Sequence, residues 1–139
     1  MSHQLRFSLQ HRYDTRQNGI TVDVILSLAE RKRRVVAKVD TGASFCIFQR
    51  EYGESLGLQV ESGQPEWIGT ATGRFRAYGH RVTLRTLEIE FETMVYFAED
   101  NTFSRNVLGQ RGWLDHVQIG IVDYEGLLYL SDYNQSPTE

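Results

Sequence analysis

Apolar residues fall at every second position along several runs of this 139-residue chain, a period that suits half-buried strands and not helices. Leu5, Phe7, Leu9, His11 and Tyr13 face one way, and Arg6, Ser8, Gln10 and Arg12 the other. Val22, Val24, Leu26 and Leu28 repeat the pattern against Thr21, Asp23 and Ser27. Asn18-Gly19 between them tolerates positive φ, so the two runs read as a hairpin with a longish loop. Alternation returns through Val82 and Leu84, then Leu87, Ile89, Phe91, Val95 and Phe97, with Glu88, Glu90 and Glu92 opposite. That pattern does not locate its own turn. A last strand pair spans residues 117–130 and turns near Tyr124-Glu125-Gly126. Helix signals are short: residues 49–56 with Gly57 as the stop, and a turn through Trp113 and Leu114. The sum is an all-β chain of many short strands, a barrel or a sandwich. Its length suits one domain over 1–139, with room for a real core but not for two full lobes.

Composition excludes more than it proposes. A net charge of -3 and a pI near 5.8 give no reason to expect a nucleic-acid backbone or an anionic membrane as partner. The basic run Arg31-Lys32-Arg33-Arg34 reads as a hairpin tip exposed to water. Cys46 is the only cysteine, so neither an intrachain disulfide nor a paired-thiolate metal site can form; in its apolar run it reads as a buried core thiol. His3, His11, His80 and His116 have no ligand-like spacing, and no metal or cofactor is expected. The start, MSHQLRFSLQ, lacks a signal-peptide core and no window has the apolar length of a membrane span, so a cytoplasmic location is expected.

The stretch VDTGASFCIF, residues 39–48, breaks the pattern. Asp, Thr, Gly and Ser are turn formers, but here they follow the apolar residues Val35, Val36, Ala37 and Val39 and precede Phe45, Ile47 and Phe48. Apolar surroundings disfavour a charged carboxylate, whereas nearby N–H groups and hydroxyls favour it, so such a site can be tuned. Gly42, without a side chain, lets backbone approach the Asp40 carboxylate.

Val-Asp-Thr-Gly-Ala-Ser at 39–44, the glycine-bearing segment 69–79 (GTATGRFRAYG) and Asn-Val-Leu-Gly at 106–109 together resemble, in order and rough spacing, the active-site loop, flap and second glycine motif of the retroviral-type (retropepsin-like) aspartic proteases. The resemblance covers about residues 20–130. It implies a closed or partly closed barrel of the retropepsin type, with one or two short helices and a flap hairpin. It also implies hydrolysis of a polypeptide by a water held between two aspartates. Asp40 would be the catalytic carboxylate, Thr41 the hydroxyl that locks two active-site loops together, and Gly42 a backbone contact to carboxylate and substrate. Ser44 looks like an anchor for substrate backbone. Gly69, Thr70, Ala71, Thr72 and Gly73 would form the flap over the substrate, with Gly73 at its tip. Leu108 and Gly109 would pack under the loop, and Arg111 would stand in for the arginine that viral members carry near this place. Ala43 departs from two-lobed members that carry a hydroxyl there, so a weakly acidic optimum is expected.

Counting adds a further step. Asp14-Thr15 is followed by Arg16, and no other Asp precedes Thr-Gly or Ser-Gly, so a dyad requires Asp40 from two copies in a symmetric homodimer. Two functional classes compete: a homodimeric endopeptidase acting on extended, mostly apolar segments, and a non-proteolytic dimerisation or peptide-binding module on the same fold.

Overall fold

The computed structural model describes residues 1–133. Ten strands follow in order: β1 (Leu9–Arg12), β2 (Ile20–Leu28), β3 (Arg31–Val39), β4 (Ile47–Phe48), β5 (Gln64–Thr70), β6 (Gly73–Thr86), β7 (Ile89–Ala98), β8 (Val107–Leu108), β9 (Val117–Val122) and β10 (Leu127–Asp132). One α-helix, α1 (Arg50–Ser55), and three single-turn 3₁₀ helices complete the described residues. Seven strands pair in the order β2-β3-β8-β4-β7-β6-β5, and β2 also pairs with β6. That last pairing closes six strands into a ring and leaves β5 outside it, held by β6 alone. The all-β, partly closed barrel expected from the sequence is what the chain forms.

β6 makes both the closure and a projecting hairpin possible because it is long enough for two jobs. Along one edge it pairs with β7 from Ala77 to Thr86. Along the other, Gly73–Gly79 pairs with β5, and Thr83–Thr86 pairs with β2. One end of the strand therefore belongs to a projecting hairpin and the other to the barrel wall.

The inward-facing residues meet the alternation read from the sequence. Val22, Val24, Leu26, Val35, Ala37, Val82, Leu84, Phe97 and Leu108 pack in one buried cluster around Trp113. The Trp113 indole N–H donates to Thr86 Oγ1 at 2.9 Å, which satisfies its one polar atom inside the core. α1 ends just before Gly57, the stop expected from the sequence. With Gly57 at φ 88, its N–H donates to the Glu54 carbonyl (2.9 Å), and Leu58 N–H donates to the Gly53 carbonyl (3.1 Å), the paired bonds of a Schellman motif. The second short helix is a 3₁₀ turn, Leu114–His116, directly after Trp113.

Three sequence expectations are corrected. The first strand does not form a hairpin with the second: β1 pairs with β10 in a separate three-stranded sheet, β1-β10-β9, and it starts only at Leu9. Alternation identifies a strand but not its partner, and here the partner lies at the other end of the chain. The run 31–34 is not a hairpin tip; Ala29 and Glu30 make the turn, and the four basic residues already stand in β3 opposite Leu28, Ser27, Leu26 and Ile25. Arg33 lies 4.8 Å above the Tyr52 ring, a cation-π seat that a solvated tip does not offer. The turn hidden in the 81–97 alternation is Leu87-Glu88, with Leu87 at φ 54. Neither residue is a turn former, so composition gave no signal.

Candidate active site

Asp40 is the first residue past β3, and two short strands fix its position. β8 runs parallel to β3, with Lys38 opposite Val107 and Val39 opposite Leu108, and the ladder continues one residue further as Asp40 N–H donates to the Leu108 carbonyl at 3.0 Å. The loop then turns tightly. Ala43 N–H donates to the Asp40 carbonyl (3.1 Å), and Gly42 N–H donates to Asp40 Oδ1 (3.0 Å). The carboxylate is thus held by its own loop in the way the small Gly42 allows.

The second glycine motif supports this loop from below. Leu108 is fully buried. Gln110 N–H donates to the Ala43 carbonyl (2.8 Å), and Arg111 N–H donates to the Ser44 carbonyl (2.9 Å). Gly109 lies so close to the loop that a side-chain carbon there would stand 2.2 Å from the Phe45 carbonyl oxygen and 2.8 Å from that of Ala43; only glycine fits. Arg111 ties the loop through its backbone, while its guanidinium is exposed and lies 5.7 Å from the Phe45 ring. Cys46 is buried beneath, its sulfur accepting from Gly109 N–H at 3.4 Å. Burial pushes its thiol up to about 12, so it is an inert core thiol and not a nucleophile.

Asn106 adds a clamp that the sequence did not single out. Its Oδ1 accepts from Gln49 N–H and its Nδ2 donates to Gln49 Oε1, both at 2.9 Å. The segment after the Asp40 loop is thereby fixed to the segment before β8. Asn106 stood within the quoted motif, but a side-chain clamp to a residue 57 positions away has no signature in sequence.

The hairpin β5–β6 projects beside this loop, and between them lies a cleft of about 440 Å³. Asp40, Gly42, Ala43 and Ser44 line it from one side, and Gly69, Thr70 and Ala71 from the hairpin. Thr41 is exposed, and its hydroxyl makes no hydrogen bond among the described residues. The hairpin tip is Ala71-Thr72; Gly73 is not the tip but pairs with Thr70 to close the turn, at φ 151. Thr72 and Gly73 lie outside the cleft lining. The cleft also takes in Ile47, Phe75, Phe103, Arg105 and Val107, most of which alternation marks as core or leaves unmarked. Among its lining residues Asp40 is the only acid and Arg105 the only base.

A sequence model described as aspartyl protease matches residues 23–111, more than half of the chain and the whole of the loop, hairpin and support just described. The chain belongs to the aspartyl protease family. Solved structures agree with this at the level of fold. A retropepsin-like aspartic protease from Rickettsia conorii superposes with a TM-score of 0.63 at 16% identity, covering 87% of this chain and 96% of that one. The retroviral protease-like domain of Ddi1 from Leishmania major gives 0.57 at 18%, covering 88% and 99%. The EIAV protease complexed with the inhibitor HBY-793 gives 0.53 at 18%, covering 68% and 84%. The retropepsin-like fold is thus shared while most of the sequence is not. No curated protein matches the sequence. Among the described residues, no helix of this aspartyl protease family member is long and apolar enough to cross a membrane.

Proposed function

We propose that this protein is an aspartic endopeptidase that cuts extended, mostly apolar polypeptide segments, and that two copies complete its active site by bringing their Asp40 loops together on a twofold axis. The observation that carries this reading is that Asp40 is the only acid lining a cleft built otherwise like a hydrolytic site. Its loop is braced by β8 on the inner side, and on the outer side Asp40, Thr41 and Gly42 are exposed. A second copy placed there would supply the missing carboxylate. The unengaged Thr41 hydroxyl would meet the opposite loop.

The chemistry follows from that pairing. Two carboxyl groups about 3 Å apart cannot both ionise, the behaviour for which aspartic protease dyads are the standard case, so they share one proton. The ionised member takes a proton from a water held between them, and that water attacks the scissile carbonyl. The protonated member donates to the carbonyl oxygen, giving a tetrahedral intermediate with no covalent enzyme adduct. Collapse of the intermediate returns a proton to the departing amine. The hairpin end, residues 69–79, would pair with the substrate backbone and exclude water from the dyad. With Ala43 offering no hydroxyl to the carboxylates, activity peaks at weakly acidic rather than strongly acidic pH.

The test compares wild type with Asp40→Asn on an unfolded protein substrate, with and without a pepstatin-like inhibitor. Wild type cleaves and is blocked, Asp40→Asn loses about a thousandfold or more in rate, and activity rises more steeply than linearly with enzyme concentration. Cleavage that persists in Asp40→Asn, or wild type that binds peptides at every concentration without cutting them, overturns the proposal.

A further inference from the structure

The chain carries a net charge of -3, yet its cleft is edged by cations without anionic partners. Arg105 lines the cleft and is exposed; among the described residues it makes no ion pair, and its guanidinium lies 5.8 Å from the Phe103 ring. The acids near it in sequence are engaged elsewhere. Asp100 accepts from Thr102 N–H at 2.8 Å, and Glu99 accepts from the Tyr78 hydroxyl at 2.9 Å. On the hairpin, Trp67 also lines the cleft and carries two more guanidiniums, Arg74 at 4.5 Å and Arg76 at 4.7 Å from its ring centre. Neither has a carboxylate partner among the described residues.

The backbone that carries Arg105 is anchored on its C-terminal side. The next residue, Asn106, accepts from Lys38 N–H through its carbonyl (2.9 Å) and clamps Gln49 through its side chain. The Phe103 ring under the guanidinium packs on Phe75 of the hairpin at 4.7 Å. Phe75 in turn belongs to the apolar cluster of Ile47, Ile68, Ala77 and Tyr96. An unpaired guanidinium on an anchored backbone beside an apolar wall offers a seat for a carboxylate next to a hydrophobic side chain, and its planar fork matches a carboxylate with two parallel hydrogen bonds.

We propose that Arg105 determines specificity: the cleft selects polypeptide segments in which an acidic side chain lies beside apolar ones, with the carboxylate paired to Arg105. This rests on the reading of the cleft as a site for extended polypeptide. Arg74 and Arg76 add a positive field that draws such segments in but do not set the position of the acid.

Short apolar peptides with one glutamate moved through successive positions, each matched by a lysine version, test the inference. Wild type favours the glutamate version at one register by about tenfold in kcat/KM, and added salt reduces the preference. Arg105→Gln abolishes the preference and Arg105→Glu reverses it toward lysine. Fluorescence anisotropy of the same labelled peptides on Asp40→Asn reads the selectivity without turnover. Asp40-dependent cleavage with equal rates for both peptide series, or a preference that survives Arg105→Glu, overturns the role of Arg105 and leaves the protease reading standing. Tight, Arg105-dependent binding of the glutamate series without cleavage by wild type supports the inference and overturns the protease reading instead. Binding of neither series overturns both.

Discussion

Gly109 faces the backbone of Phe45 so closely that a side-chain carbon would stand 2.2 Å from the Phe45 carbonyl oxygen. The obstacle is main chain of the Asp40 loop itself, which cannot swing aside as a side chain can. Gly109→Ala is therefore expected to lower stability by about 2–4 kcal/mol, the scale of a severe overpacking. Since the displaced backbone is that of the Asp40 loop itself, peptide hydrolysis should be lost even where the variant remains folded. Urea unfolding followed by intrinsic fluorescence gives the first quantity. An unchanged midpoint would show that the loop is not seated on Gly109.

Gly73 offers the opposite case, a glycine with open space around it. No atom lies within 4 Å of where its side chain would begin, but its φ of 151 is a conformation that L residues rarely adopt. Gly73→Ala should distort only the end of the hairpin, at a local cost of about 1–3 kcal/mol. Because that end is exposed and can relax to relieve most of the strain, the thermal midpoint should fall by no more than a few degrees while kcat/KM for peptide cleavage falls. Equal loss of stability and activity would argue that the tip is part of the folded core and not a separately acting flap.

Cys46 links burial to pH. Burial raises its thiol from an ordinary 9.0 to about 12, so the folded state holds its proton where the unfolded state gives it up. By linkage, the stability contributed by this thiol is intact below about pH 9 and is lost as pH rises toward about 12. Denaturant midpoints of Cys46→Ala should accordingly fall less steeply than those of wild type across that alkaline window. In the native protein the thiol should resist Ellman's reagent at mildly alkaline pH and react fully once unfolded. Prompt reaction in the folded state would contradict the buried position.

How much of this was written in the sequence differs from element to element. The alternation of Val22, Val24 and Leu26 marked a strand and its buried face correctly, since side-chain direction in a strand is fixed by a period of two whatever lies beside it. Gly57 announced the end of α1 for an equally local reason, the freedom of glycine at positive φ. Leu87 and Ala29, both at φ 54, gave no such notice. Their conformations come from the register of the strands they join, β6 with β7 and β2 with β3, and not from their own preferences.

The sequence by itself determined that the chain is built of strands, that Asp40 ends one of them in a tight polar turn, and that no second Asp-Thr-Gly is present. These rest on local geometry and on counting. Only the tertiary structure decided that β1 joins β10 rather than β2, that Asn106 clamps Gln49, and that Arg105 shares a cleft with Asp40. Each of these joins residues far apart in the chain, or sets a side chain against a surface that exists only once the barrel has closed. Pattern within a segment carries no information about which distant segment will meet it.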